Sequence, residues 1–388
     1  MINIAFTTVQ SKDWMGGVNY HKNLFFAISK LEKRQIAPVV FLGKETDPEI
    51  VELFRPYAQI VVDSLYDRKS VKFIVANALA HHLNWPILQN RLFKKHNIDV
   101  VHTLYGPTKG LSCKTISWIP DFQHIHLPNL FSENLISQRN KAINSLLEIS
   151  DATILSSHDA YNDCLTFDTG IPSQLHVLQF VCQPNPEVFN LEKNDIKERH
   201  SVPEKYFYLP NQLWKHKNHL QVFNAIKNLK TTGVEINLVC SGSMNDYRNP
   251  HYIEEVKSFI ATNKLENNIK LLGFIDYLDV LYFIRYSVSV INPSLFEGWS
   301  STVEECKSMG KSMILSDLNV HREQNPADSY FFERDNPAML EDCLRNAWLA
   351  NKDVPEKELE SEAARLLPMR TEEFAENFQS IVMEVMEV

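Results

Sequence analysis

The sequence predicts an α/β protein built from two Rossmann-like domains, and three observations carry that reading. Short β-rich runs alternate with stretches of helical period from end to end, the pattern of doubly wound parallel sheets. The alternation starts afresh after the proline-marked segment Gln183–Glu187. The 388 residues also exceed the size at which one hydrophobic core stops growing. The expected division is residues 1–185 and 186–370, with a last helix over 371–388 packing back on the first domain.

In the first half, Ile2 to Thr7 reads as a buried strand. The pair Gly16-Gly17 reads as a turn, and after it Val18, Leu24, Phe25, Ile28 and Leu31 recur at helical spacing. Further strands are expected at Ile36 to Leu42, Ala58 to Val62, Asp99 to His102, Thr115 to Trp118 and Ala152 to Leu155. Helices are expected near 70–95, 130–149 and 157–167. In the second half, Tyr206 to Leu209 is a strand, and Leu220, Val222, Phe223, Ile226 and Leu229 mark a helix that Gly233 ends in the left-handed conformation. Strands at Ile236 to Cys240, Ile269 to Leu272, Val288 to Asn292 and Ser312 to Leu315 continue the series. Phe374, Phe378, Ile381, Val382 and Val385 give the last helix one apolar face, which needs a packing partner.

Composition removes several classes of function. A net charge of −9 argues against a dedicated nucleic-acid binder. No run approaches the length of a membrane span, and Met1 leads straight into an apolar strand without the basic region of a secretory signal. Cys113, Cys164, Cys182, Cys240, Cys306 and Cys343 lie far apart with no C-x-x-C spacing, which fits reduced thiols. A soluble cytoplasmic protein is expected.

The most informative stretch runs from the strand Val288–Asn292 through Glu297, Gly298, Trp299, Ser300, Ser301 and Thr302 to Glu305. A strand ends, a glycine turn follows and a helix begins at a Ser-Ser-Thr cluster. Ser301 with Glu304, or Thr302 with Glu305, has the spacing of a capping box. Such a helix start offers unpaired N–H groups and the positive end of the dipole to a phosphate or to sugar hydroxyls. Glu297 stands on the loop at the strand's C-terminal end, where open α/β sheets place their ligands. With Glu305 eight positions on, the segment PSLFEGWSSTVEECKSMGKSMILSD resembles the E-x7-E signature of glycosyltransferase family 4, retaining enzymes of GT-B fold whose two Rossmann-like domains face each other across a cleft. The resemblance implies that Glu297 sits beside the transferring sugar, that Glu305 bonds the ribose, and that the backbone of Gly298, Trp299, Ser300 and Ser301 holds sugar hydroxyls and diphosphate.

Tyr208 to His219 resembles the same family's diphosphate loop. Lys217 matches its lysine, and a departing nucleoside diphosphate gains charge that fixed cations must meet. Gln212 stands where many members carry arginine and Asn211 where they carry glycine; Lys215 or His216 is the candidate replacement cation. Trp14, Gly16, Gly17, Asn19 and Tyr20 form a first-domain loop that in the family faces donor phosphate and acceptor, with Gly17 the close-approach residue. At the end of the strand Thr115–Trp118, Pro120-Asp121 replaces the family's His-Asp pair, which leaves Asp121 to orient a hydroxyl. His124 and His126 alternate as strand ligands could, but no third metal ligand accompanies them. By the same resemblance Gly273, Phe274 and Ile275 lie against the base.

No aspartate lies two positions from another, so the D-x-D motif of metal-dependent transferases is absent and no metal cofactor is expected. Trp85, Leu88, Leu92 and Phe93 beside Arg91, Lys94, Lys95 and His96 suit either a helix with its apolar face in the core or peripheral contact with the inner face of a membrane. The resulting expectation is a metal-independent retaining transferase. It moves a hexose from a GDP- or UDP-sugar, such as GDP-mannose, to a glycan or lipid-linked hydroxyl in polysaccharide or glycoconjugate synthesis. A sugar-nucleotide epimerase of the same fold and a non-catalytic nucleotide-sugar-binding protein are the alternatives.

Overall fold

The computed structural model describes residues 1–7, 15–103, 109–167, 170, 172–350 and 354–387. Trp14 of the glycine motif and Val388 of the last helix lie outside the described residues. The chain divides into two units: residues 1–122, 133–182 and 368–388 form the first, and 123–132 with 183–367 form the second.

The first unit holds seven parallel strands, β1 (Ile2–Phe6), β2 (Ile36–Leu42), β3 (Gln59–Val62), β4 (Val100–Thr103), β5 (Lys114–Ile119), β6 (Ala152–Leu155) and β7 (Gln174–Val177), in the order β3-β2-β1-β4-β5-β6-β7. The second holds six, β8 (Phe207–Leu209), β9 (Leu238–Cys240), β10 (Ile269–Leu271), β11 (Val290–Asn292), β12 (Met313–Ser316) and β13 (Tyr330–Phe332), in the order β10-β9-β8-β11-β12-β13. Parallel strands covered on both faces need near-continuous apolar runs, which is what Ile36–Leu42 and Met313–Ser316 supply. In each sheet the order reverses once, between β1 and β4 and between β8 and β11. Loops leaving the two strands at such a reversal part to opposite faces and open a crevice at the strands' C-terminal ends.

Local differences from the sequence reading have physical causes. Gly16 and Gly17 lie in the first turn of the helix Met15–Lys30 instead of in a turn before it. The helix expected over 70–95 is two, Val71–Leu83 and Ile87–Lys95, because Asn84 takes the left-handed conformation and Pro86 cannot extend the ladder. His124 and His126 lie on the short helix Gln123–His126, so their strand-like alternation does not exist. The final helix begins earlier than expected, at Lys357, and runs to Glu387 with Pro368 inside it. Within the first unit it buries Phe374, Phe378, Ile381, Val382 and Val385, and the Phe378 ring meets Phe6 at the end of β1. Among the described residues no helix is long and apolar enough to cross a membrane.

Candidate active site in the second unit

The reversal between β8 and β11 is lined by amides before it is lined by charges. Asn211, just past β8, donates through Nδ2 to Asn292 Oδ1 at the end of β11 (3.2 Å), and Asn292 Nδ2 donates to Ser300 Oγ (2.9 Å). Thr302 Oγ1 completes the chain by donating to Asn211 Oδ1 (3.3 Å). Asn211, Asn292, Ser300 and Thr302 are all buried, and a buried amide left unbonded costs far more than a bonded one contributes. This ladder therefore fixes both loops and the following helix relative to one another. Gly242, past β9, has φ +133° and lies so close to the Asn211-Gln212 backbone that an added Cβ would stand 2.7 Å from the Asn211 carbonyl oxygen. Only glycine allows that approach.

On this frame sits an ion pair. Lys217 Nζ donates to Glu297 Oε1 at 2.6 Å, with the side chains 17% and 10% exposed. Ser294 Oγ lies 2.6 Å from both Glu297 Oε1 and Asn292 Oδ1, so its single proton links the pair to the amide ladder one acceptor at a time. Burial alone would push the Glu297 carboxyl up, but Lys217, through its charge and its hydrogen bond, and the Ser294 bond carry it below its ordinary range. Glu297 is thus a carboxylate at neutral pH. His321 is fully buried, with Nδ1 on the Ser316 carbonyl at 2.8 Å. Burial holds its ring neutral, against the raising effect of Glu297.

The helix Ser301–Met309 begins one residue before the expected capping boxes, with Ser300 as the cap; its Oγ accepts from Val303 N (3.4 Å). The residue at the third helical position is therefore valine, and neither capping box forms. Gln324 supplies the missing half from another helix: its Oε1 accepts from Ser300 N (3.2 Å), while its Nε2 donates to Ser300 O (3.0 Å) and Glu304 Oε1 (3.1 Å). Glu305, buried beside this helix start, accepts from Tyr277 OH at 3.0 Å. Burial pushes the Glu305 carboxyl up to about 7, the Tyr277 bond opposing.

The structure brings together Asn211, Lys217, Glu297, Gly298, Trp299, Ser300, Ser301 and Glu305 of the residues expected from sequence. Gln212 is half-buried in the β8 loop, Lys215 is exposed, and its backbone N–H is held by Asp246 Oδ2 (3.1 Å). His216 is no replacement cation: burial drives its ring well below the ordinary range, and its Nδ1 accepts from Arg248 Nη2 (3.1 Å). Phe274 is 78% exposed, whereas Ile275 packs on the core below it. Asp121 and Gly17 belong to the first unit. Asp121 accepts from Arg139 Nη2 at 2.8 Å, and the buried Gly17 accepts from His21 Nδ1 through its carbonyl. Asn292, Ser294, Tyr277, Gln324 and Arg248 were not singled out from sequence. Of these, only Asn292 and Ser294 carried a usable signal, as polar residues ending an apolar strand.

Residues 191–364 match the family model Glycosyl transferases group 1. This segment is a group 1 glycosyltransferase domain. No curated protein sequence matches the chain. Among solved structures, the chain is similar to Alr3699/HepE of Anabaena in complex with UDP and glucose (13% identity, all of both chains, TM-score 0.70). It is also similar to a glycosyltransferase from Rickettsia africae (17%, all of this chain and 98% of that one, 0.67) and to sucrose-phosphate synthase of Thermosynechococcus elongatus (13%, 99% and 97%, 0.64). At such identities the likeness establishes the fold, which is GT-B: two parallel-sheet Rossmann-like units. In the group 1 domain, the reversal between β8 and β11 is where the ion pair, the amide ladder and the capped helix converge.

Proposed function

We propose that the chain is a retaining glycosyltransferase that moves a hexose from a nucleotide diphosphate sugar to a hydroxyl of a glycan or lipid-linked acceptor without a metal ion. The single observation that carries the reading is the Lys217–Glu297 pair, seated beside the Ser300-capped helix start. As the glycosidic bond to the diphosphate breaks, negative charge grows on the leaving oxygen. A lysine ammonium and the N–H groups of a helix start are fixed donors for that charge, and they need no reorganisation at the moment of reaction. Glu297, held ionised, accepts from sugar hydroxyls and keeps Lys217 in place between turnovers. The leaving phosphate itself takes the acceptor's proton on the face it vacates, so retention requires no strong protein base. Glu305 bonds the ribose.

Solved structures whose descriptions name UDP and UDP-glucose favour a UDP-sugar over a GDP-sugar as donor. The test has two stages. Thermal-shift titration with UDP-glucose, UDP-galactose and GDP-mannose should raise the midpoint for one base only, because a ligand that binds the folded state stabilises it by mass action. With that donor and a glycan acceptor, product anomeric configuration read by NMR should equal the donor's. Inversion, or donor loss without a glycosylated product, would overturn the proposal.

A further inference from the structure

One surface of the first unit joins exposed apolar side chains to a run of cations. The helix Val71–Leu83 is apolar nearly all round and carries a single lysine or arginine, Lys72, in 13 residues. A helix of that composition is ordinarily covered on all sides. Here only one side is: Ala76 and Ala80 are buried, while Val71 is 77%, Ile74 58% and Val75 44% exposed. Those three, with exposed Ala78, fall at i, i+3, i+4 and i+7, one continuous stripe. Leu83 and Trp85 extend the exposed apolar surface past the helix end, at 63% and 55%.

The segment that carries the stripe has charges of one sign. From Arg68 to Ile98 the sequence has six lysines and arginines and no aspartate or glutamate, in a protein whose net charge is −9. Arg68, Lys69, Arg91, Lys94 and Lys95 are exposed, and Lys72 is paired with Asp63 at 2.5 Å. Burial opposes ionisation of Asp63, but the bond from Lys72, the Leu65 N–H and the charge of Lys95 hold its carboxyl below the ordinary range. The sequence offers Trp85, Leu88, Leu92 and Phe93 as the apolar side of such a surface; Leu92 and Phe93 are buried in the core with Leu88 packed against it, Trp85 is exposed, and the stripe lies on the preceding helix.

We propose that the helix Val71–Leu83 and its flanking cations dock the chain on an anionic lipid bilayer. Apolar side chains insert at the headgroup level while the cations sit among lipid phosphates. A protein partner fits less well, because interfaces between proteins are depleted in lysine, and four of the six cations are lysines. The inference is independent of the transferase reading, since binding is measured without turnover.

The test is cosedimentation of the full chain with phosphatidylcholine vesicles, with and without a third of phosphatidylglycerol. The protein should pellet with the anionic vesicles, stay in solution with the neutral ones, and be released by high salt. Lys94→Ser with Lys95→Ser should weaken binding about fivefold per charge. Ile74→Asp with Val75→Asp should weaken it further while the melting midpoint holds, as both residues are exposed; if that variant melts early, Val71→Ser with Ile74→Ser replaces it. Absence of binding to anionic vesicles, or binding that neither pair of substitutions weakens, would overturn the proposal. So would a lipid-free dimer that Ile74→Asp splits, because a second copy would then own the stripe.

Discussion

The two sheets reverse strand order at equivalent places, yet the two crevices are filled by opposite chemistry. Between β1 and β4, Phe6 pairs in register with His102, and Tyr20 stacks on Trp118 with ring centroids 3.9 Å apart. His21 stands edge-on to Phe6, Tyr20, His102 and Trp118. Tyr20 OH, His21 Nε2 and both ring nitrogens of His102 are buried without a hydrogen-bond partner. Burial lowers both histidines, His21 to about 4 and His102 well below its ordinary value, so the cluster is neutral at pH 7. Between β8 and β11 the buried Asn211, Asn292, Ser300 and Thr302 are bonded to one another, and a full ion pair sits beside them. Topology supplies a crevice twice; the residues at the strand ends make one of them an aromatic floor and the other an amide frame that carries an ion pair.

The largest expected effect tests that contrast directly. Lys217→Met should lower kcat/KM for donor by about 10²- to 10³-fold, the usual loss when one fixed donor to a developing negative charge is removed. It should also destabilise the fold, because Glu297 is left buried and unpaired, and adding Glu297→Gln should restore part of that stability without restoring transfer. Chemical denaturation and steady-state kinetics on the single and double variants separate the two effects. Full transfer by Lys217→Met would remove the assigned role.

The second prediction concerns acid. Glu305 has its folded value raised from 4.5 to about 7, so between those values the folded state holds a proton that the unfolded state releases. Its contribution to stability is full below about 4.5 and is lost as pH rises through about 7. The first-unit histidines act in the opposite sense. Their folded values lie below 6.5, so the unfolded state binds the extra protons and stability is lost as pH falls below 6.5. Glu305→Gln should therefore remove a loss of up to about 3 kcal/mol between pH 4.5 and 7, reckoned at about 1.4 kcal/mol per pKa unit. His21→Leu should make the protein less sensitive to acid. Urea midpoints from pH 4.5 to 7.5 that shift in parallel for both variants would contradict the contrast.

A smaller effect is expected at the helix cap. Gln324→Ala removes three bonds around Ser300 and Glu304 and should cost about 1–3 kcal/mol, with Ser300→Ala at about 1 kcal/mol. Both should raise the donor KM more than they lower kcat, since the helix start is loosened but Lys217 remains.

How far these features are legible in the sequence depends on whether they are local. Strands with two covered faces announce themselves, and β2 and β6 have the expected bounds. The strands β7 and β13 were missed, and both are edges: Gln174–Val177 has no buried residue and no apolar run, and the aromatic run Tyr330–Phe332 is only three residues long with one of them buried. Lys217, Glu297 and Glu305 were readable because each lies in a contiguous motif. Gln324 was not, because it reaches Ser300 from 24 residues away and replaces a capping glutamate that local spacing predicts. The same limit hid Tyr277, whose bond to Glu305 spans 28 residues.

The smallest effect is expected on the aromatic side, at His102. Both of its ring nitrogens are buried and unbonded, and exchanging an unsatisfied polar group for an apolar one of similar size removes a desolvation cost while leaving the packing nearly intact. His102→Leu should thus change stability at pH 7 by no more than about 1 kcal/mol, toward greater stability, and leave donor affinity unchanged. The equivalent exchange across the other reversal, Asn292→Leu, strips partners from Asn211, Ser294 and Ser300 together. It should cost several times more and weaken donor binding. If His102→Leu instead weakened donor or acceptor binding as much as Asn292→Leu does, the aromatic cluster would be part of a ligand site and the division of labour between the two crevices would fail.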